Sequence, residues 1–368
     1  MNPLDDQVPQ ATHCQRHARM IHRLSRLIPL FMGILFTPAL SAEQAEQDSI
    51  SRYESTQFHM GTRFRIVVYA DSATARKAIT KAFQRIAEID NRLSNYKQDS
   101  ELTRLSSKFG QHVSVSDDLW SVLSLSRMVY EQSDGAFDVT LGPVTQLWRQ
   151  ARQTKTLPAP AAVAEALSRS GTNLLEFDDV EKTVRLTSAR MALDPGGVAK
   201  GWAVQQAVDV LRQHGISSAL VDGGGDMFMV GRPQKKNGWR IAIAPLRAGG
   251  KPTTIVELVD RAIATSGDTW QYLAVGGKRY SHIVDPQTGM GVTIPSSVTV
   301  ICKDGGLADA WASAICVLGP ERGLKVLARR KGIEALVVYL DEQGDVRQKS
   351  SAGFHAYQVS KSSDRGDE

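Results

Sequence analysis

The segment of the chain that decides its fold, residues 193–204, reads LDPGGVAKGWAV. An apolar, strand-like run ends here in an acid, the chain turns through Pro-Gly-Gly, and a helix is predicted to follow. Gly196 and Gly197 let the backbone approach a ligand because they carry no side chain. The N–H groups at the helix start and the charge of Lys200 suit a phosphate. A purely structural turn has a similar composition, so this segment alone leaves both interpretations open.

The first 42 residues differ in character from the rest of the chain. Arg23 and Arg26 precede an apolar run over residues 27–40 that ends among small residues, which is the layout of a secretory signal peptide. The run is too short to span a membrane comfortably, although a retained N-terminal anchor is the alternative. A signal of ordinary length would start at Met20. No Cys follows the apolar run, so we expect an exported or periplasmic protein without a lipid anchor.

Charge and cysteine content exclude some classes of function. The four Arg and two Asp of residues 1–42 leave +3 of the net charge of +5 for the remainder, which is too weak and dispersed to indicate nucleic-acid binding. Cys302 and Cys316 lie in apolar runs, where they could pair in an oxidising compartment or remain buried thiols. No cysteine spacing matches a metal site.

The pattern after the leader predicts one domain over residues 57–345, with a polar segment over 43–56 before it and a disordered tail over 346–368 after it. An apolar content of 42% with 23% charged residues suits a globular domain with a large core. Helical spacing of apolar residues is found over 73–93, 117–132, 199–213, 307–315 and 320–330. Strands are predicted over 63–69, 174–177, 183–187, 218–222 and 227–230, in several runs within 239–284, and over 297–301 and 334–340.

Three further segments carry polar residues in turns stiffened by Gly or Pro. The first, GAFDVTLGP at 135–143, is either a helix-to-strand connection or a fixed loop at a site. The second, DGGGD at 222–226, is a tight crossing or a ligand-binding edge, and no helix follows it as a dinucleotide-binding fold would require. In the third, His282 is followed by Asp285, Gln287 and Thr288, which favours a site over an ordinary strand histidine.

Asp309 and Ser313 form a fourth candidate. They are four residues apart, so they share one face of a predicted helix whose other residues are mainly apolar. They could contribute to capping near the helix start, or they could supply hard oxygen ligands for Mg²⁺.

Taken in order, these motifs resemble the ApbE family of FAD:protein FMN transferases. The resemblance extends from about Gln57 to Leu340, nearly the whole predicted domain. It rests on short segments that occur in the family's order. They are MGT at 60–62, RLSNY at 92–96 with DSEL at 99–102, GAFD at 135–138 with GP at 142–143, AKG at 199–201, VDGG at 221–224, ATSG at 264–267, HIVDPQTG at 282–289 and ADA at 308–310.

The resemblance implies a single α+β domain with T-fold-like mixed or antiparallel sheets flanked by helices, holding one FAD in a cleft. Enzymes of this family cleave the FAD diphosphate with Mg²⁺, release AMP, and attach FMN through a phosphoester to a Ser or Thr of another protein. The expected partners are therefore FAD and an acceptor protein. We expect the acceptor to be an exported or membrane redox protein.

Site residues follow from the same resemblance, position by position. Asp309 and Ser313 match metal-ligand positions, with a backbone carbonyl near Gly197 as a third ligand. Lys200 and the helix start would hold the phosphates, and His282 is the candidate base for the acceptor hydroxyl. Positions that contact FAD in the family are occupied by Met60, Tyr96, Ala136, Phe137 and Asp138, with Tyr96 available to stack on a ring.

The chain departs from the family pattern at four places. The family usually has Thr at Ser313, Asp at Gln205, Tyr at Trp202, and Tyr-Pro at Met290-Gly291. The hydroxyl survives at Ser313, so metal binding is expected to survive. Two alternatives to transfer remain: a Mg²⁺-dependent FAD diphosphatase that uses water as the acceptor, and a flavin carrier without turnover. Tyr96 favours transfer over hydrolysis.

Overall fold

Residues 49–246, 254–268 and 271–359 are described by the structure, which is a computed structural model. The leader predicted over residues 1–42 and the last part of the predicted tail, residues 360–368, lie outside these ranges. The described residues belong to one compact unit. Within these ranges, no helix is both long and apolar enough to cross a lipid bilayer.

The elements of the described ranges occur in a mixed order along the chain. The strands are β1 (Ser51–His59), β2 (Thr62–Ala70), β3 (Val113–Ser114), β4 (Leu175–Asp178), β5 (Thr183–Leu186), β6 (Ala219–Gly223), β7 (Met227–Val230), β8 (Trp239–Ala242), β9 (Ile255–Leu258), β10 (Arg261–Gly267), β11 (Tyr272–Val275), β12 (Lys278–Ser281), β13 (Ser296–Cys302), β14 (Glu334–Leu340) and β15 (Val346–Ser350). The α-helices are α1 (Ser72–Leu93), α2 (Glu101–Ser106), α3 (Asp117–Gln132), α4 (Gly142–Thr154), α5 (Pro160–Leu167), α6 (Ala199–Gln213) and α7 (Gly305–Leu327), and two 3₁₀ helices span Thr172–Leu174 and Ala352–Tyr357.

An eight-stranded sheet organises the domain. Its strand order is β1-β2-β6-β7-β10-β13-β14-β15, and neighbouring strands are antiparallel. Two two-stranded sheets, β8-β9 and β11-β12, and the three-stranded sheet β3-β5-β4 are also antiparallel. The predicted α+β class, with antiparallel sheets flanked by helices, is therefore confirmed.

The core lies on both faces of the large sheet. Along β2, Phe64, Ile66 and Val68 are buried in a cluster that includes side chains of α1, α3, α6 and α7, whereas Val67 is buried in a second cluster. The two-residue alternation of a strand explains this division, because successive side chains point to opposite faces. All residues of β13 are buried, so this strand lies in the centre of the domain.

The structure corrects the predicted ends of the domain. The polar segment predicted over 43–56 already contains the first residues of β1, which pairs with β2 from Ser51 onward. The tail predicted as disordered from 346 instead forms β15, which pairs with β14, and a 3₁₀ helix whose Phe354 is fully buried. Both segments look polar in sequence, yet backbone pairing and one aromatic anchor hold them in the fold.

Three internal predictions are also refined. The segment 135–143 does not lead into a strand, because α4 begins at Gly142 with Pro143 in its first turn. The helices predicted over 307–315 and 320–330 join into α7, with a break at Gly319, whose φ is 74°. Cys302 and Cys316 are both buried and unpaired, so the thiol alternative holds and the disulfide does not.

Two glycines let the starts of α6 and α7 cross in direct backbone contact. A Cβ on Gly201 would lie 2.1 Å from the carbonyl oxygen of Gly305, and a Cβ on Gly305 would lie 2.4 Å from the carbonyl oxygen of Gly201. Neither position has room for a side chain, because the opposing atom is backbone and cannot rotate away. The contact places Lys200 and Asp309, one on each helix, within reach of each other.

Gly201→Ala is therefore expected to force the two helix starts apart. We expect it to lower the free energy of unfolding by roughly 1–3 kcal/mol or more, as overpacking in a core does, measured by urea denaturation. Gly306→Ala is the matched control, because the closest atom to its Cβ would be a methyl carbon of Leu125, 2.8 Å away, which can move, and the next atoms are at ordinary contact distance. Equal denaturation midpoints for the two variants would show that the crossing tolerates a side chain.

Candidate functional site

The residues predicted from the sequence line one cavity of about 790 Å³. They are Met60, Tyr96, Ala136, Phe137, Asp138, Gly197, Lys200, His282, Asp309 and Ser313. The cavity is of the size that proteins use for cofactors and large ligands. Its walls come from distant parts of the chain, which the large sheet and the crossing of α6 and α7 bring together.

Lys200 lies between two buried carboxylates. Its Nζ forms an ion pair with Asp226 and lies 3.8 Å from Oδ2 of Asp309, and these two acids are only 3% and 2% exposed. Burial lowers the pKa of Lys200, but the attraction of the two acids outweighs it and raises the pKa above its ordinary value. Burial and the charge of Asp226 raise the pKa of Asp309 above its usual range. The ammonium group and the two carboxylates therefore form one cluster of interacting charges.

The first N–H groups of α6 form more hydrogen bonds within the protein than the sequence predicts. Among its first N–H groups, that of Ala199 donates to the Pro195 carbonyl and that of Gly201 donates to Oδ2 of Asp309, 3.1 Å away. The N–H groups of Ala199 and Gly201 are therefore engaged within the protein, and the phosphate role of Lys200 and the helix start stays a prediction. The turn and the helix start also hold Asp309 and Lys200 in place.

Ser313 lies close to the glycine turn. It follows Asp309 by four residues on α7, and its Oγ lies 3.1 Å from Oγ of Ser266. A Cβ on Gly197 would lie 2.8 Å from Ser313 Oγ and 3.1 Å from the ring of Phe137, so only glycine allows the turn this near. The turn backbone, the serine hydroxyl and the Asp309 carboxylate thus come together at one end of the cavity.

Oxygen donors of this kind fit Mg²⁺. Mg²⁺ prefers carboxylate, hydroxyl and carbonyl oxygens and is usually bound through one or two carboxylates together with substrate phosphates. Over the ranges 49–246, 254–268 and 271–359, no group of three or more His, Cys, Asp or Glu side chains is arranged to hold a metal. A cation at Asp309 would therefore need the hydroxyl, the backbone and the oxygens of a phosphate ligand.

His282 follows β12 and is held by its neighbour across the hairpin. Its Nδ1 lies 3.1 Å from the carbonyl oxygen of Gln271, which also accepts the backbone N–H of His282. Since a carbonyl only accepts, Nδ1 carries the proton and Nε2 is the basic nitrogen. Burial lowers the pKa of His282, and the charges of Arg152 and Lys200 add to this effect. The imidazole is therefore neutral at pH 7, as a general base requires.

Tyr96 presents an aromatic ring at the edge of the cavity. The residue is 77% exposed, and the guanidinium of Arg149 lies 4.5 Å from the ring centroid. Arg149 is held in turn by Asp194, which also accepts hydrogen bonds from Asn95 and Thr145. The ring thus has a fixed support, and its exposure leaves area for stacking on a planar ligand.

The Asp138 carboxylate is occupied within its own loop. It accepts hydrogen bonds from the backbone and hydroxyl of Thr140 and from the hydroxyl of Thr172. Burial raises its pKa, while these hydrogen bonds oppose the shift. Asp138 therefore fixes the loop that carries the buried Ala136 and Phe137 to the cavity wall.

The sequence singled out the DGGGD segment without its function. Asp222 accepts the backbone N–H groups of Gly224 and Gly225, each at 3.0 Å, which closes a tight turn between β6 and β7. The last acid, Asp226, reaches Lys200. In the sequence, the acids on either side of the glycines indicated this contact. No sequence feature indicated Arg149 or Arg152, because the helix α4 that carries them was not predicted.

Two of the departures from the family pattern have structural roles. Oε1 of Gln205 accepts the N–H of Gly305, the first residue of α7, at 3.2 Å. Nε1 of Trp202 donates to the buried Asp118 at 3.3 Å. Both side chains therefore support the crossing of α6 and α7 or its surroundings, and neither lines the cavity.

Comparisons with known proteins agree with this arrangement. A sequence model of the ApbE family matches residues 60–337, so the chain belongs to the ApbE family. It is 31% identical over 323 residues to the FAD:protein FMN transferase of Treponema pallidum, covering 83% of this chain and 88% of the relative. It is 32% identical over 310 residues to that of Vibrio cholerae, covering 81% and 90%.

Solved structures give the same result for the fold. The flavin transferase ApbE from Vibrio cholerae superposes with a TM-score of 0.75 at 29% identity, covering 84% of this chain and 99% of that one. The apo form of the Pseudomonas stutzeri flavinyl transferase ApbE gives a TM-score of 0.74 at 29% identity, covering 84% and 97%. The resemblance read from short motifs is therefore confirmed over the whole domain.

Proposed function

We propose that this protein is an exported, Mg²⁺-dependent FAD:protein FMN transferase that attaches FMN through a phosphoester to a Ser or Thr of a target protein and releases AMP. The enzyme class is that of its curated relatives. The observation that carries the finer proposal is the meeting of Asp309, Ser313, Lys200 and His282 in one cavity. Export is proposed from the leader pattern of residues 1–42.

The proposed metal ligands are Asp309, Ser313 and a backbone carbonyl near Gly197. Ser313 lies beside the turn at Gly197, and Asp309 lines the same cavity. These positions and the hard oxygen atoms of all three groups support the assignment. When bound there, Mg²⁺ would neutralise the diphosphate charge and make the phosphorus easier to attack. Asp226 would keep Lys200 charged and directed toward the same place.

The proposed chemical step uses His282 as general base. Nε2 takes the proton of the acceptor hydroxyl while the hydroxyl oxygen bonds to the phosphorus of the FMN half of FAD. The bond from that phosphorus to the bridging oxygen breaks, and AMP leaves with this oxygen. The Gln271 carbonyl keeps the ring in the tautomer that the step needs. Stacking on Tyr96 and the support of Arg149 would hold the planar part of the substrate.

The proposal is tested by incubating the full-length protein, recovered after export, with FAD, Mg²⁺ and extracts of exported and membrane proteins from a strain that lacks it. We expect one acceptor protein to gain the mass of FMN on a Ser or Thr, with one AMP released for each flavin attached. A chelator should prevent both. Free FMN and AMP without an adduct would support the diphosphatase, and FAD that stays bound and intact would support the carrier.

A further inference from the structure

Most charged side chains that line the cavity already have a partner. Ion pairs join Lys97 to Asp90 at 3.1 Å, Arg149 to Asp194 at 2.8 Å, and Lys200 to Asp226 and Asp309. Asp138 is held by hydroxyl and backbone donors of its own loop. These groups contribute positions and shape to the cavity, but little charge that a ligand could still neutralise.

Arg152 is the exception within the described residues. It lines the cavity from α4, and the ion pairs among the described residues join the other lining cations to carboxylates but none to Arg152. Burial lowers its pKa, and the charge of Arg149 adds to the shift. A half-buried cation without a counter-ion is costly, so a ligand anion is the expected source of compensation.

The location of Arg152 restricts that anion. Arg152, His282 and Lys200 line the same cavity, and the charges of both cations lower the pKa of His282. The candidate base therefore lies within the field of both cations. The group that reacts beside His282 in the proposed function is the diphosphate of FAD.

Around the proposed metal site, the FAD diphosphate needs one more positive charge than Lys200 and Mg²⁺ provide. If Mg²⁺ is bound and keeps Asp309 ionised, Lys200, Asp226, Asp309 and the metal would together carry +1. The diphosphate of FAD carries −2, which leaves −1 uncompensated next to the cluster. Arg152 supplies the missing positive charge, in a guanidinium whose fork of N–H donors suits phosphate oxygens.

We propose that Arg152 binds a non-bridging oxygen of the FAD diphosphate and selects phosphate-bearing flavins over uncharged ones. This inference rests on the proposed function, since it takes FAD as the substrate. The competing interpretation is that Arg152 contacts an acidic side chain of the acceptor protein, which the test below separates from diphosphate binding.

The test compares Arg152→Gln, Arg152→Lys and wild type, with Arg185→Gln as the control. Arg185 lies on β5 in an exposed pair with Glu176, does not line the cavity, and changes the net charge equally when replaced. Binding of FAD and of riboflavin is followed by flavin fluorescence, with a chelator present so that Mg²⁺ does not contribute. Circular dichroism and the melting temperature establish that each variant is folded.

Arg152→Gln is expected to raise the Kd for FAD roughly 10- to 100-fold, as the loss of a hydrogen bond to a charged group does, and to leave the Kd for riboflavin unchanged. Arg152→Lys should recover part of the FAD affinity, because it restores the charge without the fork. Arg185→Gln should bind both ligands as wild type does.

Three outcomes would overturn the inference. An unchanged Kd for FAD in Arg152→Gln would show that Arg152 does not contact the diphosphate. An equal loss of affinity for FAD and for riboflavin would indicate a general distortion of the cavity. A higher KM for the acceptor protein with unchanged FAD binding assigns Arg152 to the acceptor instead. Failure of the proposed function would look different. If FAD binding depended on Arg152 but no flavin adduct formed, the diphosphate subsite would be supported and the transferase proposal would be wrong.

Discussion

Asp309→Asn is expected to lower flavin transfer by about 10³-fold, a barrier increase of about 4 kcal/mol, because it removes the charge of the proposed metal ligand while keeping the shape of the side chain. The carboxylate is buried, accepts the Gly201 N–H, and is near Lys200. An amide oxygen still accepts that hydrogen bond, so the variant should fold. Transfer is measured as FMN adduct formed per minute, and Mg²⁺ binding by calorimetry with FAD present.

The matched control is Asp179→Asn, which makes the same chemical change at an exposed ion pair with Arg127. It should leave transfer and Mg²⁺ binding unaltered. If Asp309→Asn bound Mg²⁺ and transferred FMN as well as the control does, the metal assignment would be wrong. If wild type and Asp309→Ala both retained FAD intact with Mg²⁺ present, the carrier alternative would gain support.

His282→Gln is expected to slow transfer by about 10²- to 10⁴-fold, the range in which positioned general bases contribute. Affinity for FAD should change little, because the ring is proposed to move a proton and not to bind the flavin. His112→Gln is the control, since His112 is exposed, its ring forms a hydrogen bond with Thr183, and neither residue is among the described residues that line the cavity. A loss of FAD binding equal to the loss of rate would assign His282 to binding instead.

The pH dependence gives a second measurement of the same residue. Nε2 must be unprotonated to accept the acceptor's proton, so the rate falls as the pH drops through the pKa of His282. Burial and the charges of Arg152 and Lys200 lower that pKa below its ordinary value of 6.5. At saturating Mg²⁺, which would keep Asp309 ionised, wild type should therefore keep more than half of its His282-dependent activity at pH 6.5 and lose it in more acid solution. In His282→Gln this acid limb should be absent.

Local periodicity was enough to predict the two helices that carry Lys200, Asp309 and Ser313. The helix predicted over 199–213 has those bounds in the structure, because its apolar residues repeat at helical spacing and the glycine turn fixes its start. Asp309 and Ser313 were predicted to share a helix face for the same reason. The common cavity was predicted through the resemblance, since spacing alone does not bring Tyr96 and His282 together.

Contacts between distant segments could not be predicted from the sequence. Asp226 was noticed as an acid beside three glycines, but its pairing with Lys200 depends on how β7 and α6 are placed by the sheet. Arg152 was missed because the loop at residues 135–143 could equally have led into a strand, so the helix α4 that begins at its end was not predicted. The strands β1 and β15 were missed because they contain few apolar residues and gain their order from backbone pairing.

The two polar strands β1 and β15 form the outer edges of the large sheet, where unpaired backbone groups could recruit strands of other molecules. Both carry charged side chains at exposed positions: Arg52 and Glu54 on β1, and Arg347 and Lys349 on β15. Desolvating these charges would oppose the addition of a further strand. The polar character that made these segments look unstructured therefore protects the protein against edge-to-edge aggregation.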